Sequence, residues 1–270
     1  MRLTHKQSGR SGKTVKRNLE LCFADKTSQQ RDELGRRNLR ETGKNITELG
    51  PLWNWNRQKV LGLIKEEVGR DHFDQALTQA KEQGRGLILA SPHFGAWELA
   101  GLKLSVDAAP LNIMYRPNRN SGLDALVLKS RERFGGKCCA TTSRGLAQLV
   151  KGLKKGEAIA LLPDQEPDDN HGVFAPLFGV PAYTMTFINK LALKTGAPII
   201  FAIAERLPKG QGFRMHYLKP DDDIYDEDQV RSATALNKCV EQCIEIAPEQ
   251  YMWNYKRFKK SPPDTPKRYA

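Results

Sequence analysis

Beyond residue 84 the chain alternates short apolar runs with longer amphipathic segments, and that rhythm restricts its fold more than any other feature. The apolar runs at 87–90, 111–115, 137–141, 158–162, 198–204 and 213–218 read as strands. Helical spacing at 97–104, 123–134, 144–154, 186–195 and 228–246 fills the intervals and follows the last run, with a further helix at 73–83 that ends at Gly84. Strands separated by helices of this length predict an α/β fold with a mixed, largely parallel central sheet flanked by helices. Residues 15–70 read instead as three short helices, with a Thr27/Ser28 start signal. We therefore expect a basic tail and N-terminal helical cap over 1–70, an α/β core over 71–255, and a basic C-terminal tail over 256–270.

The 270 residues carry a net charge of +12, and placement says more than the sum. Six basic side chains and no acidic ones lie in residues 1–17; six basic ones and only Asp264 lie in 256–270. Basic fringes on a nearly neutral body suit an anionic membrane surface or an acidic protein better than a nucleic-acid groove, and no nucleic-acid-binding signature is present. Residues 1–17 lack the apolar core of a secretory signal, which places the chain in the cytoplasm. The charge-free run 170–189 is broken by proline and glycine, so it does not read as a membrane span. The five cysteines form no C-x2-C pair, and the histidines are scattered; neither a metal site nor a disulfide framework is expected. Reduced thiols follow, with Cys239 and Cys243 packed in a helix.

In parallel sheets ligands bind beyond the carboxyl ends of the strands, which draws attention to three segments. They are Ser91-Pro-His-Phe-Gly-Ala-Trp-Glu98, Tyr115-Arg-Pro-Asn-Arg-Asn120 and Pro163-Asp-Gln165. Five residues turn an α-helix through about 500°, so His93 and Glu98 cannot share one helical face. If His93 lies in a turn and the helix starts near Gly95, the imidazole can fold back onto the carboxylate, leaving Gly95 to let a ligand approach the backbone. A carboxylate partner fixes the tautomer of a histidine and stabilises its imidazolium, the requirement of a general base acting on an alcohol. No G-x-S-x-G elbow is present and neither Cys138 nor Cys139 has an activating motif, so a covalent intermediate is not indicated. Ser91 is the one hydroxyl beside His93 in sequence. The competing reading of His93 is a structural histidine with its hydrogen bonds satisfied.

The string His93-Phe-Gly-Ala-Trp-Glu98 matches the H-x4-D/E motif of glycerolipid acyltransferases. With Asn18-Leu-Glu-Leu-Cys-Phe, Tyr115-Arg-Pro, Leu153-Lys-Lys-Gly-Glu, Pro163-Asp-Gln, Pro176-Leu-Phe-Gly and Pro248-Glu-Gln-Tyr-Met-Trp, the chain resembles the bacterial lipid A acyltransferase family along nearly its whole length. The resemblance implies transfer of a fatty acyl chain from acyl carrier protein to a hydroxyl of a Kdo-modified lipid A precursor, without cofactor or metal. It implies His93 as base with Glu98 as orienting partner, a required arginine at Arg131, with Arg133 as a near neighbour, and a required acid at Asp164. Asp164 would position that arginine or the acceptor. Arg116, Asn120, Arg144 and Gln165 are expected to bind substrate: an arginine fork suits phosphate, and Arg144 opens a helix where an anion is favoured. A solvated Arg144 is the plainer reading. Phe174, Leu177, Phe178 and Tyr183 are candidates for an acyl groove or, singly, for core. Family members often carry an N-terminal hydrophobic anchor that this chain departs from, so a peripheral position on the cytoplasmic face of the inner membrane is expected. Another glycolipid or amino lipid acceptor is the first alternative, and a noncatalytic nucleic-acid-binding or lipid-binding protein is a remote one.

Overall fold

The computed structural model describes residues 9–269; Arg2 and Lys6 of the basic N-terminus lie outside it. Four helices come first: α1 (Arg10–Cys22), α2 (Ser28–Thr47), α3 (Leu49–Asn54) and α4 (Arg57–Leu61). An edge strand, β1 (Ile64–Val68), follows. The alternating region comprises α5 (Arg70–Glu82), β2 (Leu87–Ala90), α6 (Trp97–Asp107), β3 (Leu111–Tyr115), α7 (Ser121–Glu132), β4 (Lys137–Ala140), α8 (Ser143–Lys154) and β5 (Ala158–Leu161). A hairpin of β6 (Gly172–Leu177) and β7 (Val180–Met185) precedes α9 (Phe187–Thr195), β8 (Ile199–Arg206), β9 (Phe213–Leu218) and α10 (Gln229–Ile246).

The main sheet has seven strands in the order β1-β9-β8-β2-β5-β3-β4, parallel throughout except for the antiparallel pair β8 and β9. Every residue of β2 and β5 is buried, as continuous apolar runs in a sheet covered on both faces require. Alternate side chains divide between two cores. Ile88 and Ala90 face one with Ile159, Leu161 and α10, while Leu87 and Leu89 face the other with Ala158, Ala160 and α6.

The N-terminal helices are fastened to this body by polar side chains. Helix α2 begins where Thr27 Oγ1 accepts from Gln30 N at 3.2 Å and Gln30 Oε1 accepts from Thr27 N at 2.8 Å, a reciprocal cap. From α2, Asn38 donates to the carbonyls of Glu249 and Tyr251, and Glu41 and Asn45 of α2 with Glu48 just beyond its end all accept from the buried Arg206 at the end of β8. Asn18 of α1 donates to Trp253 and Tyr255 carbonyls at 2.7 Å and accepts from Tyr269 Oη, so residues 253–269 lie against α1.

Two elements differ from expectation. The stretch read as three helices holds four and ends in β1, whose Ile-Lys-Glu-Glu-Val lies exposed on the sheet edge and so lacks an apolar alternation. The charge-free run forms the β6–β7 hairpin, where Pro176 sits opposite Pro181. Its apolar residues pack against one another and the body: Leu177 is fully buried, Phe178 meets Phe23 and Trp253, and Phe174 meets Tyr183. They are core and hairpin contacts, and none lines the apolar chamber described below, which corrects the acyl-groove expectation for these four.

Candidate active site

β2 and β5 pair in parallel with Ala90 opposite Leu161. His93 and Asp164 each stand three residues beyond that matched pair, and the two side chains meet there. His93 Nδ1 lies 2.8 Å from Asp164 Oδ1, and the His93 backbone N–H donates to Asp164 Oδ2 at 3.0 Å. The carboxylate thus holds both the ring and the backbone of the same residue.

The loop carrying His93 is clamped from its other side. Met252 N donates to the His93 carbonyl at 3.0 Å, Gly95 N to the Gln250 carbonyl at 3.0 Å, and Ala96 N to the Ala204 carbonyl at 2.9 Å. Gly95 has φ +52°, and a Cβ there would lie 2.1 Å from the Ala204 carbonyl oxygen. Its smallness serves this approach to β8, where the sequence had suggested room for a ligand.

Burial by itself would raise the Asp164 carboxyl, whose side chain is 2% exposed. The facing His93 charge and the hydrogen bonds from its ring and backbone outweigh that and hold it below the usual carboxylate range. An ionised carboxylate only accepts, so the shared ring proton sits on Nδ1, and in the neutral imidazole the acceptor lone pair is then on Nε2. Nε2 faces the Gln165 side-chain nitrogen at a loose 3.4 Å, and the ring stands edge-on to Trp97 with centroids 5.5 Å apart. With 18% of its side chain exposed, the imidazole is reachable.

Glu98 has a different partner, which corrects the expected His93–Glu98 pair. Helix α6 starts only at Trp97, so Glu98 lies in its first turn, where the helix N-terminus favours a carboxylate. Both its oxygens face Arg131 of α7: Nε is 3.1 and 3.2 Å away and one terminal nitrogen 2.5 Å. Burial would lower the Arg131 guanidinium, but the Glu98 hydrogen bond and charge raise it overall. Asp164, expected beside this arginine or the acceptor, holds the histidine instead. The two neighbouring arginines differ in their surroundings: Arg131 lines the chamber described next, whereas Arg133 donates to the Leu52 and Trp55 carbonyls and ties down the end of α3.

Next to the Glu98–Arg131 pair lies a narrow apolar chamber of about 50 Å³, whose lining includes Trp97, the ring that meets His93 edge-on. Its walls are Leu89, Leu102, Leu104, Ile113, Ala160 and Leu161; Ser91, Trp97, Gly101, Leu162, Glu98 and Arg131 complete it. Sequence reasoning missed this chamber because its lining comes from β2, β3, β5 and α6, whose side-by-side arrangement no local pattern reports. Ser91 Oγ rests on the Pro92 carbonyl at 3.4 Å. Burial pushes the Cys138 thiol up to about 12, which suits an inert thiol. All five cysteines are free, and Cys239 and Cys243 are buried in α10.

The remaining candidates lie outside the chamber lining. Asn120 caps α7, its Oδ1 accepting from Leu123 N at 3.0 Å. Arg116 and Arg144 are exposed, Arg144 just inside the Thr142-capped start of α8. Gln165 alone of the four expected substrate binders touches the central pair. No group of metal-ligating side chains occurs among the described residues, and none of their helices is long and apolar enough to cross a membrane.

An α/β fold with a carboxylate-held imidazole near an apolar chamber has the chemical means to act on a hydroxyl beside an aliphatic chain. Residues 2–260 match the family model for bacterial lipid A biosynthesis acyltransferases. The chain belongs to that family and is an acyltransferase. It is 34% identical over 261 residues to a lipid A biosynthesis lauroyltransferase of Escherichia coli K12, covering 96% of this chain and 83% of that protein. It is also 30% identical to the palmitoleoyltransferase of the same strain, covering 92% and 78%, and 22% identical to its myristoyltransferase, covering 95% and 79%.

Proposed function

We propose that the protein moves a fatty acyl chain from the thioester of acyl carrier protein to a hydroxyl of a Kdo-modified lipid A precursor, with His93 as general base and Asp164 as its partner. His93 Nε2 takes the hydroxyl proton as the oxygen attacks the thioester carbonyl. The tetrahedral intermediate then collapses, the carbon–sulfur bond breaks, and the imidazolium returns its proton to the departing thiolate. Asp164 keeps the base in the required tautomer and compensates the imidazolium charge. Gln165, loosely placed on Nε2, gives way to the acceptor hydroxyl.

Glu98 occupies Nε and one terminal nitrogen of Arg131, which leaves the other terminal nitrogen for a developing oxyanion or an acceptor phosphate. The apolar walls of the chamber suit an acyl chain, in keeping with the lauroyl, palmitoleoyl and myristoyl groups named for the relatives, and side chains around it would have to move aside to admit one. Arg10, Lys13, Arg17, Lys256, Lys267 and Arg268 line a separate cleft between α1 and the C-terminal segment. That cleft supports a peripheral position on the cytoplasmic face of the inner membrane, or contact with an acidic donor protein, since every charged side chain that lines it is basic.

One observation carries the reading: a histidine whose Nδ1 is held by Asp164 at 2.8 Å and whose Nε2 meets only Gln165 at a loose 3.4 Å, near an apolar chamber. Mass spectrometry of cellular lipids after deletion of the gene tests it, because the missing chain reports donor and acceptor together. Loss of one acyl group from lipid A is the expected result; unaltered lipid A would overturn the assignment.

A further inference from the structure

Helix α7 buries only part of its apolar face. Leu123 and Leu126, three residues apart and so neighbours on the helix surface, are 44% and 48% exposed. Four residues beyond Leu126 on the same face, Ser130 is 4% exposed. The face is therefore seated on the body at its C-terminal end and open at its N-terminal end. Among the described residues, no other helix exposes two large apolar side chains.

The surroundings of this open end are cationic. Arg116 and Arg119, on the loop leaving the carboxyl end of β3, are exposed, as is Lys129 on α7. Asp124 accepts from the Asn118 N–H at 2.7 Å and Glu132 from the Cys138 N–H at 2.8 Å; both carboxylates keep their charge but are turned toward the backbone, and the three exposed cations outnumber them. That loop starts at the same end of the sheet as His93 and Asp164, and Arg131, the residue after Ser130, lines the chamber. Leucines set among arginines and lysine, on a helix that also forms the chamber wall, match a layer with acyl chains beneath anionic headgroups.

We propose that the N-terminal half of α7 is the face that rests on an anionic lipid bilayer, with Leu123 and Leu126 entering the acyl boundary and Arg116, Arg119 and Lys129 at the phosphates. The proposal deepens the acyltransferase reading, on which it rests for the lipid nature of the acceptor.

The test is co-sedimentation of the full chain with vesicles of phosphatidylethanolamine and phosphatidylglycerol, 3:1, for wild type and the Leu123→Ser/Leu126→Ser double variant. Removing two inserted leucines is expected to lower partitioning roughly tenfold or more. Thermal midpoint and transfer rate to acceptor in detergent micelles should stay at the wild-type value. Arg119→Gln should weaken partitioning onto these vesicles and leave that onto pure phosphatidylcholine vesicles unchanged. Equal partitioning of the double variant and wild type would overturn the proposal. So would a variant that keeps its vesicle affinity and loses affinity for acyl carrier protein, which would assign the face to a protein partner. Absence of transfer by wild type in micelles would instead count against the acyltransferase reading, and it leaves the vesicle comparison intact.

Discussion

The side chain of Asp164 meets His93 at two points, and the consequences differ for catalysis and stability. Asp164→Asn keeps the shape of the pair but removes the charge that compensates an imidazolium and fixes the tautomer. We expect kcat to fall on the order of 10²–10⁴-fold with folding preserved, measured by steady-state transfer alongside circular dichroism. The lowered Asp164 carboxyl also sets a sign for pH dependence. A carboxyl depressed in the native state takes up its proton more readily in the unfolded chain. Its contribution to stability is present above the ordinary carboxylate range, around pH 4, and is lost as pH falls through the lower native value. Thermal midpoints recorded from about pH 6 to about pH 3 should therefore fall more steeply for wild type than for Asp164→Asn. The sequence disclosed His93, Arg131 and Asp164 one at a time, by position after strands and by resemblance. It did not disclose their partners, because His93 and Asp164 are 71 residues apart and meet only through the pairing of β2 with β5.

Among the elements, α6 and the loop before it do the most to shape the site. Gly95 is confined by its positive φ and by β8, so Gly95→Ala should cost at least about 1–2 kcal/mol and disturb the His93 loop, measured by denaturant unfolding and by kcat. Gly101 differs: a Cβ there meets nothing within 4 Å, and the residue lines the chamber. Gly101→Leu should leave stability equal or raise it by up to about 1 kcal/mol through helix propensity, while filling space meant for an acyl chain. Transfer assayed with thioesters of graded length should then shift toward shorter chains. The bounds of β2, β3 and β9 were legible to the residue because apolar runs and turn residues delimit them. Neither β1 nor the β6–β7 hairpin was: β1 is polar and edge-exposed, and the hairpin carries prolines on both strands.

At the scale of the whole molecule, the N-terminal helices and the sheet act as one body through a few buried polar links. Arg206 is the chief of these, with Glu41 of α2 and Glu48 at its C-terminal cap each 2.7 Å away. Burial raises the Glu48 carboxyl despite the opposing effect of Arg206, so removal of the guanidinium leaves two poorly solvated acids facing each other. Arg206→Ala should cost about 3–5 kcal/mol in denaturant unfolding and loosen α2 from the core. The largely parallel sheet and helical N-terminus followed from the alternating pattern, whereas these links join residues roughly 160 positions apart and leave no local trace. The central claim, that an imidazole held by Asp164 deprotonates the acceptor, is tested most directly by the rate of acyl transfer from acyl carrier protein to a lipid A precursor in micelles for purified His93→Ala. The account predicts a loss of at least about 100-fold with the thermal midpoint retained. A folded His93→Ala enzyme that works at close to the wild-type rate would contradict it.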